Sequence, residues 1–170
     1  MSELIEQHPF FLAQLRRQEG CRRDKSGRHI AYRCPAGALT IGYGHNLDAN
    51  PVKGMGGGMG GGLDAGSAIS EAEAREILDR DVRAVAVQLD ARLPWWRQVG
   101  DARSAVLLNM AFNMGVDGLL TFTNTLRAIH EGRWQDAKSG MLASRWAGQV
   151  KSRAVELASQ MLTGEWQKGA

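Results

Sequence analysis

The sequence predicts a mostly helical α+β fold, with a short antiparallel sheet in its N-terminal part and helices in its C-terminal part. Between Ile30 and Leu47, apolar residues are interleaved with proline and glycine, a pattern typical of short strands joined by tight turns. From Ser70 to Leu93, apolar residues recur close to the helical period, and Pro94 ends this run. These patterns predict a small N-terminal lobe, a long connecting helix and a helical C-terminal lobe.

We interpret residues 1–170 as a single domain. The α+β lobe is placed at roughly 10–68, the connecting helix at 69–93 and the helical lobe at 94–170, with the N-terminal helix packed against the helical lobe. A helix from Ser70 to Leu93 would be roughly 36 Å long at 1.5 Å per residue. That length suits a connection between two lobes.

Local signals fix the expected helix ends. The first helix should begin at Pro9 and end near Glu19 and Gly20, because proline is favoured at a helix start and glycine just past its end. Ser70 and Glu73 have the spacing of a capping box at the start of the connecting helix. The following helices are expected at 102–114, 124–131, 134–142 and 150–162, with Gly115 and Gly118 ending the first of them.

Composition excludes several classes of protein. Of 170 residues, 44% are hydrophobic and 23% charged, which is enough to build a globular core. Lys and Arg number 21 against 18 Asp and Glu, and they form no continuous basic stripe, so we expect no nucleic-acid partner. No apolar run reaches the ~18 residues of a membrane span. The N-terminus lacks the pattern of a signal peptide, so we expect synthesis in the cytoplasm.

Two patterns that resemble binding motifs are not interpreted as binding sites. The run from Gly54 to Gly62 predicts a low-complexity loop, and we treat its match to a dinucleotide fingerprint as accidental because no strand precedes it. The two cysteines and two of the histidines lack the paired spacing of zinc ligands, so no metal and no cofactor are expected. These four residues are Cys21, His29, Cys34 and His45.

The candidates for chemistry each have a structural alternative. Glu19, at a helix end, becomes a general acid if partial burial raises its pKa, or is simply solvated there. Cys34 becomes a nucleophile if Arg33 lowers its pKa and a histidine (His29 or His45) acts as base, or is a small buried thiol.

For His45 the structural interpretation is favoured, whereas for Ser144 and Arg145 both interpretations stay open. His45 is expected to pair with a carboxylate of the long helix, Asp81 or Asp79. Ser144 and Arg145 either bind a sugar or cap helices.

Five motifs in order along the chain resemble the T-even-type phage lysozymes, the endolysins of glycoside hydrolase family 24. The first joins Glu19-Gly20 to the segments 31–37 and 40–45, and it is the most specific. The others lie at 69–82, 109–115, 122–127 and 144–146. The loops at 22–29 and 50–68 are local insertions relative to this family pattern.

The resemblance implies a muramidase that cleaves the β-1,4 bond between N-acetylmuramic acid and N-acetylglucosamine in bacterial peptidoglycan. Glu19 would be the general acid, and Thr40 would help hold the attacking water. Cys34 stands where the family usually has an aspartate, and it keeps the family's spacing to Thr40. Substrate binding is assigned to polar residues of the matched motifs: Tyr32, Asn109, Asn113, Ser144 and Arg145.

The resemblance also implies a partner and a cellular location, and it leaves open the second catalytic group and the function itself. We expect a monomer that partners peptidoglycan, has no stable membrane association, and reaches the periplasm and cell wall by holin-dependent release. Asp24 and Asp48 are alternatives to Cys34 as the second catalytic group, and a disulfide between Cys21 and Cys34 is the rival to a free thiol. A catalytically inactive peptidoglycan-binding module of the same fold is the alternative function.

Overall fold

Helices and short antiparallel strands make up the regular structure of residues 3–55 and 62–168, the part that the computed structural model describes. The chain divides into two compact units, one of Met1–Leu15 with Val82–Ala170 and the other of Arg16–Asp81. The mostly helical α+β class predicted from the sequence is confirmed. Of the expected glycine-rich loop, residues 56–61 lie outside the described part.

The unit of Arg16–Asp81 contains two small antiparallel sheets. Strand β2 (Tyr32–Arg33) pairs with β3 (Leu39–Ile41), and β3 pairs with β4 (His45–Asn46). The other sheet joins β1 (His29–Ile30) to β5 (Ala68–Ile69), a strand that the sequence analysis did not predict.

The other unit is helical in its described residues. Helix α1 (Pro9–Glu19) begins in this unit and ends in the sheet-bearing one, whereas α2 (Glu71–Arg92) begins in the sheet-bearing unit and ends in this one. The apolar helix α3 (Asp101–Met114) contributes Leu107 and Leu108 to the core, both fully buried, as is Trp96. The remaining helices are α4 (Val116–Leu120), α5 (Thr123–His130), α6 (Trp134–Leu142), α7 (Arg145–Val150) and α8 (Ser152–Thr163).

The capping box at the start of α2 is confirmed. The Ser70 backbone N–H donates to Glu73 Oε1 at 3.0 Å, and the Glu73 backbone N–H donates to Ser70 Oγ at 3.1 Å. Two of the backbone donors at this end of the helix are thereby satisfied, which fixes where the helix begins. Glu71, the first residue of α2, then faces the sheet-bearing unit's side chains described below.

Two helix boundaries differ from those predicted from the sequence. Gly118 was expected to end the helix at 102–114 together with Gly115, but it lies inside α4. The expected helix at 150–162 begins instead at Ser152, because Lys151 has a φ of 50° and separates it from α7. Within the described residues, no helix is both long enough and apolar enough to cross a membrane.

Candidate active site

Glu19 lies against the turn between β3 and β4. It is the last residue of α1 and is half-buried. A Cβ atom built on Gly44 would lie only 2.8 Å from Glu19 Oε2, so the backbone of the turn passes directly beside the carboxylate. Gly44 has a φ of 82°, a conformation that a side chain would strain. The turn therefore requires glycine here for two separate reasons.

Cys34 and Thr40 meet at the end of the β2–β3 hairpin. The Cys34 N–H donates to the Ala38 carbonyl at 2.9 Å, and the Thr40 hydroxyl oxygen lies 3.1 Å from the same carbonyl oxygen. Burial by itself raises the pKa of the Cys34 thiol. Hydrogen bonds from the backbone of Ala36 and Ala38 and from the Thr40 side chain outweigh that effect, so the pKa is lowered overall.

Tyr32 lies beside Thr40 on the neighbouring strand. It pairs directly with Thr40 across the β2–β3 ladder, and the guanidinium of Arg22 lies 4.7 Å from the centre of its ring. Burial raises the pKa of Tyr32, Arg22 opposes that rise, and the negative charges of Cys34 and Glu19 add to it. Glu19, Tyr32 and Cys34 all belong to the same compact unit.

Arg33 does not lower the pKa of Cys34 in the expected way. Its guanidinium donates to the Gly37 carbonyl at 2.9 Å and lies 3.9 Å from Asp48. The thiol pKa is lowered by backbone N–H groups and a hydroxyl, which the sequence analysis did not foresee. Cys21 and Cys34 are both free thiols.

The two alternative carboxylates, Asp24 and Asp48, accept hydrogen bonds from nearby backbone N–H groups. Asp24 Oδ1 accepts from the Ser26 hydroxyl at 2.6 Å and from the Ser26 and Arg28 N–H groups, and these bonds lower the pKa of Asp24. Asp48 Oδ2 accepts from the Leu39 N–H at 2.9 Å. The lowered pKa of Asp24 makes it a weaker base, and Asp48 is bonded to the hairpin backbone, so Cys34 stays our candidate for the second catalytic group.

A dense hydrogen-bonded cluster around Glu71 escaped the sequence analysis. Its carboxylate accepts from Tyr43, His29, Arg23 and Arg75 at 2.6 to 2.8 Å. His29 is thus hydrogen-bonded to Glu71, which argues against its expected role as a base for Cys34. Arg75 lies one turn along the same helix, a spacing that favours an ion pair with Glu71. The other three partners come from distant segments, which no spacing along the chain predicts.

His45 lies beside Asp81, one of the two partners considered for it. His45 Nδ1 is 2.6 Å from Asp81 Oδ2, and Nε2 is 2.7 Å from the Asn50 carbonyl. Burial lowers the pKa of His45, but the hydrogen bonds to Asp81 and Asn50 outweigh it, so the pKa is raised overall. The pair holds the start of β4 to helix α2 within the sheet-bearing unit.

We expect His45→Asn to destabilise the protein in a pH-dependent manner. Because the folded pKa of His45 is raised, its stabilising contribution is complete below the unfolded value of ~6.5 and is lost as pH rises through the folded value. The loss in free energy of unfolding should approach roughly 1.5–3 kcal/mol at pH 5, as for a hydrogen bond to a charged group, and be smaller at pH 9. Urea unfolding at both pH values measures it, and equal losses would contradict the prediction.

The four expected substrate-binding residues of the helical unit differ in accessibility. Asn109 is fully buried and its Oδ1 accepts from Arg153, which argues against contact with substrate. Asn113 is exposed, with its Oδ1 held by the Trp146 indole N–H at 2.8 Å. Ser144 caps α7 by accepting from the Ala147 N–H, and Arg145 is exposed.

Gly44→Ala should reduce both stability and any activity that depends on Glu19. The added methyl group would strain the backbone by about 1–2 kcal/mol. It would also lie 2.8 Å from Glu19 Oε2 and so push the carboxylate aside. We expect at least a tenfold loss of any activity that depends on Glu19, since small misplacements of reacting groups are costly.

Gly27→Ala is the matched control for this substitution. Gly27 has a φ of 87° in the same unit, and a Cβ there meets no atom within 4 Å. It should lose similar stability and keep its activity. If the two variants lose activity equally, the contact between Gly44 and Glu19 has no functional importance.

Comparisons with known proteins identify a family and several similar proteins. The family described as "Phage lysozyme" matches residues 17–158. The chain is 32% identical over 158 residues to the pre-baseplate central spike protein Gp5 of Enterobacteria phage T4, covering 86% of this chain and 27% of that protein.

Two proteins of Dictyostelium discoideum are also similar. Probable T4-type lysozyme 1 is 31% identical over 96 residues, which cover 56% of this chain and 56% of that protein. Probable T4-type lysozyme 2 is 28% identical over 153 residues, 83% of this chain and 90% of that protein. The chain thus spans about a quarter of the spike protein and just over half of the first Dictyostelium protein.

Proposed function

Because the chain belongs to the phage lysozyme family, we propose that it hydrolyses the β-1,4 bond between N-acetylmuramic acid and N-acetylglucosamine in bacterial peptidoglycan. The observation that carries the proposal is that Cys34 and Thr40 lie together on the β2–β3 hairpin while Glu19 lies against the adjoining β3–β4 turn, all within one unit. Glycoside cleavage needs an acid at the leaving oxygen and a second group at the water or the sugar. This arrangement supplies both kinds of group.

Glu19 is the proposed general acid. Its protonated carboxyl gives a proton to the glycosidic oxygen as the bond to the sugar breaks, so that the leaving sugar departs as a neutral alcohol. The close passage of Gly44 limits where the carboxyl can lie. A fixed orientation of this kind favours proton transfer, because the geometry need not be reached anew at each turnover.

Cys34 and Thr40 are proposed to act on the attacking water. The lowered pKa of Cys34 increases the fraction of thiolate near neutral pH, and a thiolate can accept the proton that water loses as its oxygen bonds to the sugar. The Thr40 hydroxyl, anchored near Ala38, helps orient that water. The thiol then returns its proton to solvent, and Glu19 regains one.

Contacts with the polymer are proposed for Tyr32, Asn113 and Arg145, which are at least partly accessible, and for Ser144. A polar cavity of about 260 Å³ in the helical unit, lined in part by Asn124 and Arg133, offers a further place for wall polymer. We propose that the enzyme works as a monomeric endolysin, reaching the periplasm and cell wall by holin-dependent release.

A second candidate function is peptidoglycan binding without hydrolysis. The observation that favours it is Cys34, which stands in place of the aspartate usual in the family. The same accessible residues would then hold the polymer while no water is activated.

The purified chain added to a peptidoglycan suspension separates the two candidates. We expect turbidity to fall and new reducing ends to appear in proportion. Cosedimentation with the insoluble polymer, without clearing and without reducing ends, would support the binding module and contradict the enzyme. A protein that neither clears the suspension nor sediments with it would contradict both functions.

A further inference from the structure

Glu71 holds an unusually complete set of partners for a half-exposed carboxylate. Its Oε1 accepts from the Tyr43 hydroxyl at 2.6 Å and from Arg75 at 2.8 Å. Its Oε2 lies 2.6 Å from His29 Nε2 and accepts from Arg23 at 2.7 Å. Burial would raise the pKa of Glu71, but these bonds hold it well below its usual range, so the group is ionised throughout the neutral range.

Three of the partners of Glu71 also contact one another. His29 is fully buried, and its ring packs edge-on against Tyr43 with the ring centres 5.0 Å apart. Arg23 also donates to the Tyr43 hydroxyl at 3.2 Å. Tyr43, with only 7% of its surface exposed, is therefore fixed through its ring by His29 and through its hydroxyl by Glu71 and Arg23.

Tyr43 occupies the middle of the turn beside Glu19. Gly42, on one side of it, packs on helix α2, since a Cβ there would lie 3.4 Å from Ala74 Cβ. Gly44, on the other side, passes the Glu19 carboxylate as described above. The first turn of α2 thus holds the 42–44 turn at two points, through Ala74 and through Glu71.

We propose that Glu71 is a positioning residue for Glu19, acting through the Tyr43 hydroxyl and the 42–44 turn. This inference rests on the proposed role of Glu19 as the acid. Hydrogen bonds from four partners to one carboxylate form a network whose members restrain each other, so loss of one bond loosens the turn. A loosened turn no longer limits where the Glu19 carboxylate lies beside Gly44, so the orientation that proton transfer needs is held less closely, while substrate binding elsewhere is unaffected.

Tyr43→Phe tests the proposal, because it removes one hydroxyl and keeps the ring against His29. With soluble, uncrosslinked glycan strands as substrate, we expect kcat to fall about tenfold and KM to stay within twofold. A merely structural role would lower the thermal midpoint without this selective loss in kcat. Glu71→Gln should show the same split, since it removes the charge that holds Arg23 and Arg75.

Glu76→Gln is the matched control. Glu76 lies in the same helix and forms a surface ion pair with Arg80 one turn along, with no bond to the 42–44 turn among its described contacts. It should leave kcat within twofold of the parent. The proposal is overturned if Tyr43→Phe also stays within twofold, or if the control falls as far as Tyr43→Phe.

Carbon-13 NMR of the Glu19 carboxyl gives a readout that needs no activity. The resonance is assigned by its absence in Glu19→Gln, and it should shift in Tyr43→Phe but not in Glu76→Gln. If the parent hydrolyses no glycan, the proposed function fails, while this shift still decides whether the turn positions Glu19. An unchanged resonance in Tyr43→Phe overturns the positioning role even in a fully active enzyme.

Discussion

Glu19→Gln is expected to abolish hydrolysis of peptidoglycan while leaving the fold intact. The amide keeps the size of the side chain beside Gly44 but has no proton to give the leaving oxygen. General acid catalysis typically contributes ~10²–10⁴-fold, so the rate of reducing-end release should fall at least that far. The thermal midpoint should change by only a few degrees, because the residue is half-buried at a helix end.

Glu76→Gln serves again as the control, since it removes an exposed carboxylate of similar chemistry. It should retain the activity of the parent. Rapid clearing by Glu19→Gln would remove Glu19 from the mechanism. A variant that unfolds would instead show a lost thermal transition, which circular dichroism detects.

Cys34→Ser is expected to lose most activity, on the order of 10²-fold, whereas Cys34→Asp should keep part of it. Serine cannot act as a base near neutral pH, and aspartate restores the group usual in the family. Activity of the parent should rise with pH as the thiolate forms. Because the Cys34 pKa is lowered, the midpoint of that rise should lie below the ~8.5 of an ordinary thiol.

Cys21→Ser is the control for this series, because Cys21 is the chain's other free thiol. It should remain active and should still be inactivated by iodoacetamide through Cys34. If Cys34→Ser clears peptidoglycan as fast as the parent, Cys34 is a bystander. The second catalytic role would then pass to Asp24 or Asp48, or Thr40 would hold the water alone.

The sequence predicted those parts of the fold that depend on local signals. Pro9 and Glu19 bound the first helix as expected, because helix ends depend on residues within a turn of them. Ser70 and Glu73 likewise placed the start of α2. The apolar segment at 102–114 gave a buried helix because nearly every side of it is hydrophobic.

Features that depend on tertiary contacts were not predictable in this way. Lys151 adopts a positive φ that nothing in its residue type signals, and this splits α7 from α8. Glu71 gathers partners from segments up to 48 residues away. Similarly, the pKa of Cys34 is lowered by backbone groups whose direction depends on the hairpin geometry and not on the neighbouring Arg33.

Mass spectrometry of the soluble products from purified peptidoglycan, after borohydride reduction, tests the central claim most directly. Cleavage of the proposed bond leaves N-acetylmuramic acid at the new reducing end, so reduction should yield fragments ending in N-acetylmuramitol. These fragments should be abundant with the parent, strongly reduced with Cys34→Ser and absent with Glu19→Gln. Fragments ending in reduced N-acetylglucosamine, fragments ending in an anhydro sugar formed without water, or no soluble fragments at all would contradict the account.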